Sequence, residues 1–236
     1  MKKIFILLIL STFTLQSFAQ STVNSTMTED SKALQFQIGS NFTLTSFQGS
    51  AFSFKYNLKP ELAFRIGVSL DLNNGSSDKN QNNLNYNDSL YNYTKVINMN
   101  YYNYKVRLNT NIILYSKNSF GLYFFYGVGP FLSVGLVNQK FTETPILLNY
   151  PTSVYNSETK EKELSLGLTG VGGVEWFISK SISIHAEYSL SAAYNWYKQE
   201  ITTNQTTSPN ISKTQETRNY ITATGNGVRF GLSIYF

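Results

Sequence analysis

The chain has 236 residues, 42% hydrophobic and 15% aromatic but only 14% charged, with 17 Tyr, 17 Phe, one His and no Cys. The missing Cys excludes structural disulfides, thiolate metal sites and lipid attachment through a thiol, and one His gives no basis for a dedicated metal site. The formal charge of +5 falls to +3 without Lys2 and Lys3 (17 basic against 14 acidic residues), and it is scattered, so no nucleic-acid partner is expected.

Residues 1–19 begin Met-Lys-Lys, continue as Ile4-Phe5-Ile6-Leu7-Leu8-Ile9-Leu10 and end on Ser17-Phe18-Ala19. Two lysines, a short apolar core and a small-x-small site describe a secretory signal peptide, cleaved after Ala19 to leave Gln20 first. The core is too short to span a bilayer. Residues 20–32 are read as a short N-terminal segment and 33–236 as one domain, about 217 residues after cleavage being ample for a single barrel.

Eight strands follow, each marked by alternation of apolar and polar residues. The first runs about 33–46 (Leu34, Phe36, Ile38, Phe42 and Leu44 on one face) and the second about 51–58 (Phe52, Phe54, Tyr56, Leu58). Lys59-Pro60-Glu61 is a tight turn, since Pro fixes φ and lacks a donor. The third strand, 62–72, has the cleanest alternation, and the fourth covers about 100–115. Residues 116–119 turn into a fifth, about 120–136, rich in Gly and aromatics. The sixth covers about 164–177, residues 178–181 turn into the seventh at about 182–197, and the eighth is about 220–236. No helical periodicity follows the first 19 residues.

The connectors alternate. Turns near 59–61, 116–119 and 178–181 are short, while 73–97, 137–163 and 198–219 read as long polar loops rich in Asn, Ser, Thr, Gln and Lys; the short connector near 46–50 is the exception. Short periplasmic turns and long extracellular loops are the layout of a transmembrane barrel.

Charge decides which face looks inward. Every strand carries its apolar face on even numbers, whereas Lys55, Arg65, Asp71, Lys105, Arg107, Glu175, His185, Glu187 and Arg229 are all odd. A basic residue facing lipid at mid-membrane costs about 2–4 kcal/mol, so the even faces meet lipid and the odd faces line the lumen. Other odd positions are largely small, among them Gly39, Gly67, Gly121, Gly127, Gly129, Gly135, Gly167, Gly173, Gly227 and Gly231, which suits a narrow interior. A soluble barrel with its apolar face inward is the rival, but its outer surface would need many more charges. Trp176 and Phe236 lie outward near the periplasmic end, and Tyr102, Tyr104, Tyr194 and Trp196 lie outward near the other, forming two interfacial belts.

The segment Lys55-Tyr56-Asn57-Leu58-Lys59-Pro60-Glu61-Leu62-Ala63-Phe64-Arg65-Ile66-Gly67 resembles the second hairpin of small OmpA/OmpX-like outer-membrane barrels. Gly172-Gly173-Val174-Glu175-Trp176-Phe177 followed by Ser181-Ile182-Ser183-Ile184-His185-Ala186-Glu187-Tyr188 resembles their last periplasmic hairpin. The last nine residues, Val228-Arg229-Phe230-Gly231-Leu232-Ser233-Ile234-Tyr235-Phe236, alternate to a terminal Phe and resemble the C-terminal signal of such barrels. The resemblance implies an all-β, eight-stranded antiparallel up-and-down transmembrane barrel in the bacterial outer membrane. Its expected partners are outer-membrane lipids, the barrel-assembly machinery through the C-terminal strand, and an extracellular ligand of the long loops.

For chemistry, His185 and Glu187 lie two apart with Ser183 and Ser189 beside them, the residue types of a Ser-His-Glu set. Residues i and i+2 on a strand are neighbours by necessity, so the stronger expectation is a polar core without catalytic residues, cofactor or metal. Arg65, Arg107, Glu175, His185, Glu187 and Arg229 are expected to form a lumen charge network, with Glu187 and Arg229 paired because they stand at equal height on adjacent strands. Tyr123, Phe125, Phe131 and Phe177 add bulk to the interior. The function expected is a non-enzymatic barrel with a filled lumen and a structural or surface-interaction role. A narrow gated conduit and a lipid A acyl-modifying enzyme are the alternatives.

Overall fold

The computed structural model describes residues 27–43, 48–83, 93–117, 121–147, 154–206 and 208–236. The expected signal peptide, residues 46–47 of the loop near 46–50 and residues 118–119 of the turn at 116–119 fall outside them.

The chain is all-β. Eight antiparallel strands, β1 (Lys32–Thr43), β2 (Gln48–Lys59), β3 (Leu62–Asn83), β4 (Tyr93–Lys117), β5 (Leu122–Leu147), β6 (Tyr155–Phe177), β7 (Ile182–Gln205) and β8 (Ser208–Tyr235), form a closed barrel in sequence order. β1 closes the ring against β8, from Ala33 opposite Tyr235 to Ile38 opposite Phe230.

The parity of the sequence survives the short turns. Arg65 stands opposite Lys55 and Asn111, Gly127 opposite Ile113, and Glu175 opposite Tyr123 and His185, so odd residues share one face around the ring. Every buried apolar side chain among the described residues is odd-numbered, from Ala33 through Ile113, Tyr123, Phe125, Phe131 and Phe177 to Tyr235. The even positions Ile66, Val68, Leu108, Leu132, Leu168, Phe230 and Leu232 are exposed on the outside. A continuous outward apolar band with a polar inside is the arrangement of a barrel in lipid.

The strands overrun their expected ends. Residues 73–83, 93–97, 137–147, 155–163, 198–205 and 208–219 were read as loop and are paired strand. These segments lack apolar alternation, so their sequence carries no strand signal. Their ladders are held by backbone hydrogen bonds and by polar rungs: Lys140 stands opposite Glu158 with Nζ 3.8 Å from the carboxylate, and Gln199 donates to Glu161 at 2.8 Å.

β1 and β2 do not follow the others upward. β2 leaves β3 at Leu70 and β1 leaves β8 at Phe230. Beyond those points β3 (71–83) and β8 (208–229) are each paired on one side only among the described residues, so six strands continue as an open sheet above a closed ring.

A bulge shifts the face of β8. Tyr188 faces Val228 but Leu190 faces Gly225, so Asn226 and Gly227 together oppose Ser189. Gly227 has φ +65°, the left-handed conformation that glycine adopts without strain. It therefore turns the strand, where the sequence reading had it lining the lumen, and above it the inward residues of β8 are even-numbered: Thr222 stands opposite Ala193.

Candidate functional site

The barrel interior is filled by layers of side chains, and the deepest layer lies at the periplasmic end. Lys55 of β2 points to Glu175 of β6, with Nζ 2.9 Å from Oε2, and both are buried. The Tyr115 hydroxyl accepts from Lys55 at 2.9 Å and donates to Glu175 at 3.0 Å. Glu175 Oε1 accepts from the Tyr235 hydroxyl at 2.7 Å and from Ser183 at 2.5 Å, and Lys55 also reaches Tyr235. The Tyr115 and Tyr235 rings lie 5.0 and 4.6 Å from Nζ, within cation–π range. Three hydroxyls and two aromatic faces thus surround one buried ion pair. Phe177 packs on Tyr235 and Tyr123 on Phe177, with ring centroids 5.0 and 5.6 Å apart, and Met27, from the segment before β1, is buried in the same cluster. Lys55, Tyr115 and Tyr235 were not among the expected network. Lys55 was read as inward, but the two tyrosines are aromatic residues that alternation alone assigns to packing.

One layer up sits His185. Its Nε2 is 2.9 Å from Gln37 Nε2 and its Nδ1 is 3.2 Å from Ser233 Oγ, which also accepts from Gln35 at 3.0 Å. With the Gln37 amide donating to Nε2, the ring proton sits on Nδ1 and is given to Ser233, the reverse of what a general base needs. Ser183 is spent on Glu175 and Glu187 on Arg65, so the Ser-His-Glu set is not assembled. Glycine at 231 makes room for the imidazole: a Cβ there would lie 2.3 Å from His185 Nε2.

The third layer corrects the expected pairing. Glu187 and Arg229 are indeed opposite each other on β7 and β8, but the carboxylate crosses the lumen to Arg65, with Oε2 2.5 Å from Nη1. Arg65 and Glu187 are 3% and 5% exposed, whereas Arg229 is only partly buried and touches Ser69 Oγ at 3.4 Å. The drier cation has the greater need of a counter-charge. Arg65 also donates to Asn111 at 3.3 Å.

Arg107 stands above. Its guanidinium lies 3.6 Å from the Phe131 ring centroid and donates to Ser191 at 2.8 Å. Asn226, carried inward by the β8 bulge, donates to Ser189 and Ser191 at 3.2 and 2.9 Å. Its even number hid it, and the Gly225-Asn226-Gly227 triplet was the available signal. Toward the outer mouth Lys105 pairs with Glu163 at 3.2 Å, 14 positions beyond Phe177 and past the 9–11 residues needed to span. Partial burial pushes the Glu163 carboxyl up, but Lys105, with hydrogen bonds from Ser165 and Tyr220, holds it below the ordinary carboxylate value.

The network is therefore two ion pairs, Lys55–Glu175 and Arg65–Glu187, with His185 in a neutral hydrogen-bonded layer and Arg107 and Arg229 outside both pairs. The aromatics placed at the interfaces all lie on the outward face. Tyr102 stacks with Tyr104 at 6.5 Å, Tyr194 meets Trp196 edge-on at 4.8 Å, Trp176 is half-buried and Phe236 is exposed. Among the described residues no group of three His, Cys, Asp or Glu is placed to hold a metal ion.

A family model described as "Outer membrane protein beta-barrel domain" matches residues 5–215. No curated protein matches the chain. Among solved structures the chain is similar to a major outer membrane protein from Thermus thermophilus (12% identity, 87% of this chain and 99% of that one, TM-score 0.36). It is also similar to CarO2 of Acinetobacter baumannii (11% identity, 87% and 98%, TM-score 0.36) and to Ail, the attachment invasion locus protein of Yersinia pestis (10% identity, 88% and 99%, TM-score 0.37).

Proposed function

From the premise that this chain belongs to the outer-membrane β-barrel domain family and resides in the bacterial outer membrane, we propose that it is a non-enzymatic, solute-tight barrel whose role is surface contact. The observation that carries this reading is the six-stranded sheet continuing beyond the closed ring. A barrel that served only to fill the membrane needs no such extension. The sheet is polar, and along 71–83 of β3 and 208–229 of β8 its outer backbone has no strand partner among the described residues, which is the kind of edge that can take up another extended chain. Solute-tightness is supported by the layered lumen, and a non-enzymatic role by the absence of an assembled nucleophile–base pair at His185.

Residues 1–19 are proposed to be removed on export, outer-membrane lipids to cover the even-numbered apolar band, and the C-terminal strand to be read by the barrel-assembly machinery. The test of the role is site-specific photo-crosslinking on intact cells. Probes at Ser212 or Thr217, exposed on the β8 edge, should capture extracellular partners that a barrel trimmed above Leu70 and Phe230 loses. Equal capture by the trimmed barrel, or altered lipid A in a deletion strain by mass spectrometry, would contradict the proposal.

A further inference from the structure

Three guanidinium groups and one carboxylate meet in the upper lumen. Arg65, Arg107, Arg229 and Glu187 line a single cavity of about 30 Å³. Glu187 is committed to Arg65 at 2.5 Å. Among the described residues Arg107 hydrogen-bonds Ser191 and lies over the Phe131 ring, and Arg229 hydrogen-bonds Ser69 and feels the Glu187 carboxylate opposite it through space, without an ion pair. Arg65 Nε is buried with no hydrogen-bond partner among the described residues. The neighbouring charges restore balance only in part. Below, Lys55 and Glu175 neutralise each other and His185 is held by Gln37 and Ser233. Above, Lys105 is matched by Glu163, and the Asp71 carboxylate, at the height of Lys105 and with Oδ1 buried and without a hydrogen-bond partner among the described residues, offsets part of the excess but does not line the cavity. The lining therefore carries three cations against one carboxylate, with Arg107 and Arg229 half-buried and without an ion pair, and charge taken out of water is normally paired.

The lining has the chemistry to receive an anion. Ser69 and Ser189 accept from Arg229 and Asn226, and donate to nothing among the described residues, so their own hydrogens remain available. A space of this size exceeds the roughly 10–15 Å³ needed by one water but is far too small for a sugar or a lipid headgroup. We propose that the cavity binds one small inorganic anion of chloride size, held by Arg107 and Arg229 with Ser69 and Ser189 at its edge. The Arg65–Glu187 and Lys55–Glu175 layers close the way below the ion, so it enters and leaves by the outer mouth. The site is independent of what the extracellular sheet contacts.

The experiment is urea unfolding of the mature barrel in lipid vesicles, in sodium chloride and in sodium gluconate at equal ionic strength, which holds screening constant. A ligand that binds only the folded state raises stability with its concentration. The wild type should unfold at higher urea in chloride than in gluconate, whose anion cannot fit. Arg107→Gln and Arg229→Gln should each lose most of that difference and, in gluconate, unfold no earlier than wild type because an uncompensated cation is gone. Identical wild-type midpoints in the two salts, or variants with the full chloride dependence, would overturn the site. Should the variants not fold, wild-type crystals grown in bromide decide it. An anomalous peak between the Arg107 and Arg229 guanidinium groups supports the proposal, and a lumen free of bromide refutes it.

Discussion

Glu187 has two arginines within reach of its strand, and the partner it takes is set by dryness more than by register. Height along the strand, legible from residue numbers, puts Arg229 opposite Glu187. Side-chain direction across the lumen, which residue numbers do not give, delivers the carboxylate to Arg65. Removing one member of a buried pair typically costs about 3–5 kcal/mol, because the survivor stays charged and dry. Glu187→Ala and Arg65→Ala should each destabilise by that order, and the double variant by much less than their sum. The same cycle with Arg229→Ala should be nearly additive. Urea unfolding in vesicles measures both, and strong coupling to Arg229 with none to Arg65 would reverse the assignment. Position 231 offers a second residue-scale test. Gly231→Ala drives a methyl into the His185 ring, and its other near contact is the Gln37 side chain, so backbone does not block relief. Overpacking of this kind costs about 1–3 kcal/mol. Adding His185→Ser should return most of the loss, whereas no recovery would mean that glycine is needed there for another reason.

The strands were legible where one face is apolar and silent where neither is. Alternation in 62–72 and 228–236 marks β3 and β8 because lipid on one side and a polar lumen on the other impose opposite chemistry on alternate residues. Beyond the membrane both faces meet water, so 73–83 and 208–219 pair through their backbones without leaving a periodic trace. The β8 bulge is a further break, since one extra residue reverses parity and brings Asn226 into the lumen. This division gives a matched pair of substitutions. Ile66→Arg puts a cation on the outward face at membrane depth, at about 2–4 kcal/mol, and should lower the yield of folded barrel. Ile211→Arg changes a residue that is also exposed but stands far up the extension, opposite Asn204, and should fold as well as wild type. Heat-modifiability on SDS gels reads the folded fraction. Equal yields of both variants would contradict the membrane placement of the apolar band.

The whole molecule is a short closed ring carrying a taller, open sheet, and both halves follow from how far each strand finds a neighbour. β1 and β2 are 12 residues each, whereas β3 to β8 run from 22 to 28. The ring is only as tall as its shortest pair, and the remainder has edges. An eight-stranded ring leaves an interior that side chains fill. Here two ion pairs, an aromatic cluster and Met27 at the periplasmic end occupy it in successive layers. That charges and aromatics share the inward face was legible from their odd numbers. How its layers divide was not, because Tyr115 and Tyr235 look like packing residues until their hydroxyls are seen on Glu175. The most direct test of a sealed lumen is electrical. The mature barrel, refolded and inserted in planar bilayers, should give no steady ohmic conductance, while a Lys55→Ala, Glu175→Ala, Arg65→Ala, Glu187→Ala variant, stripped of both layers, should leak. A steady, long-lived conductance from the wild-type barrel would contradict the account.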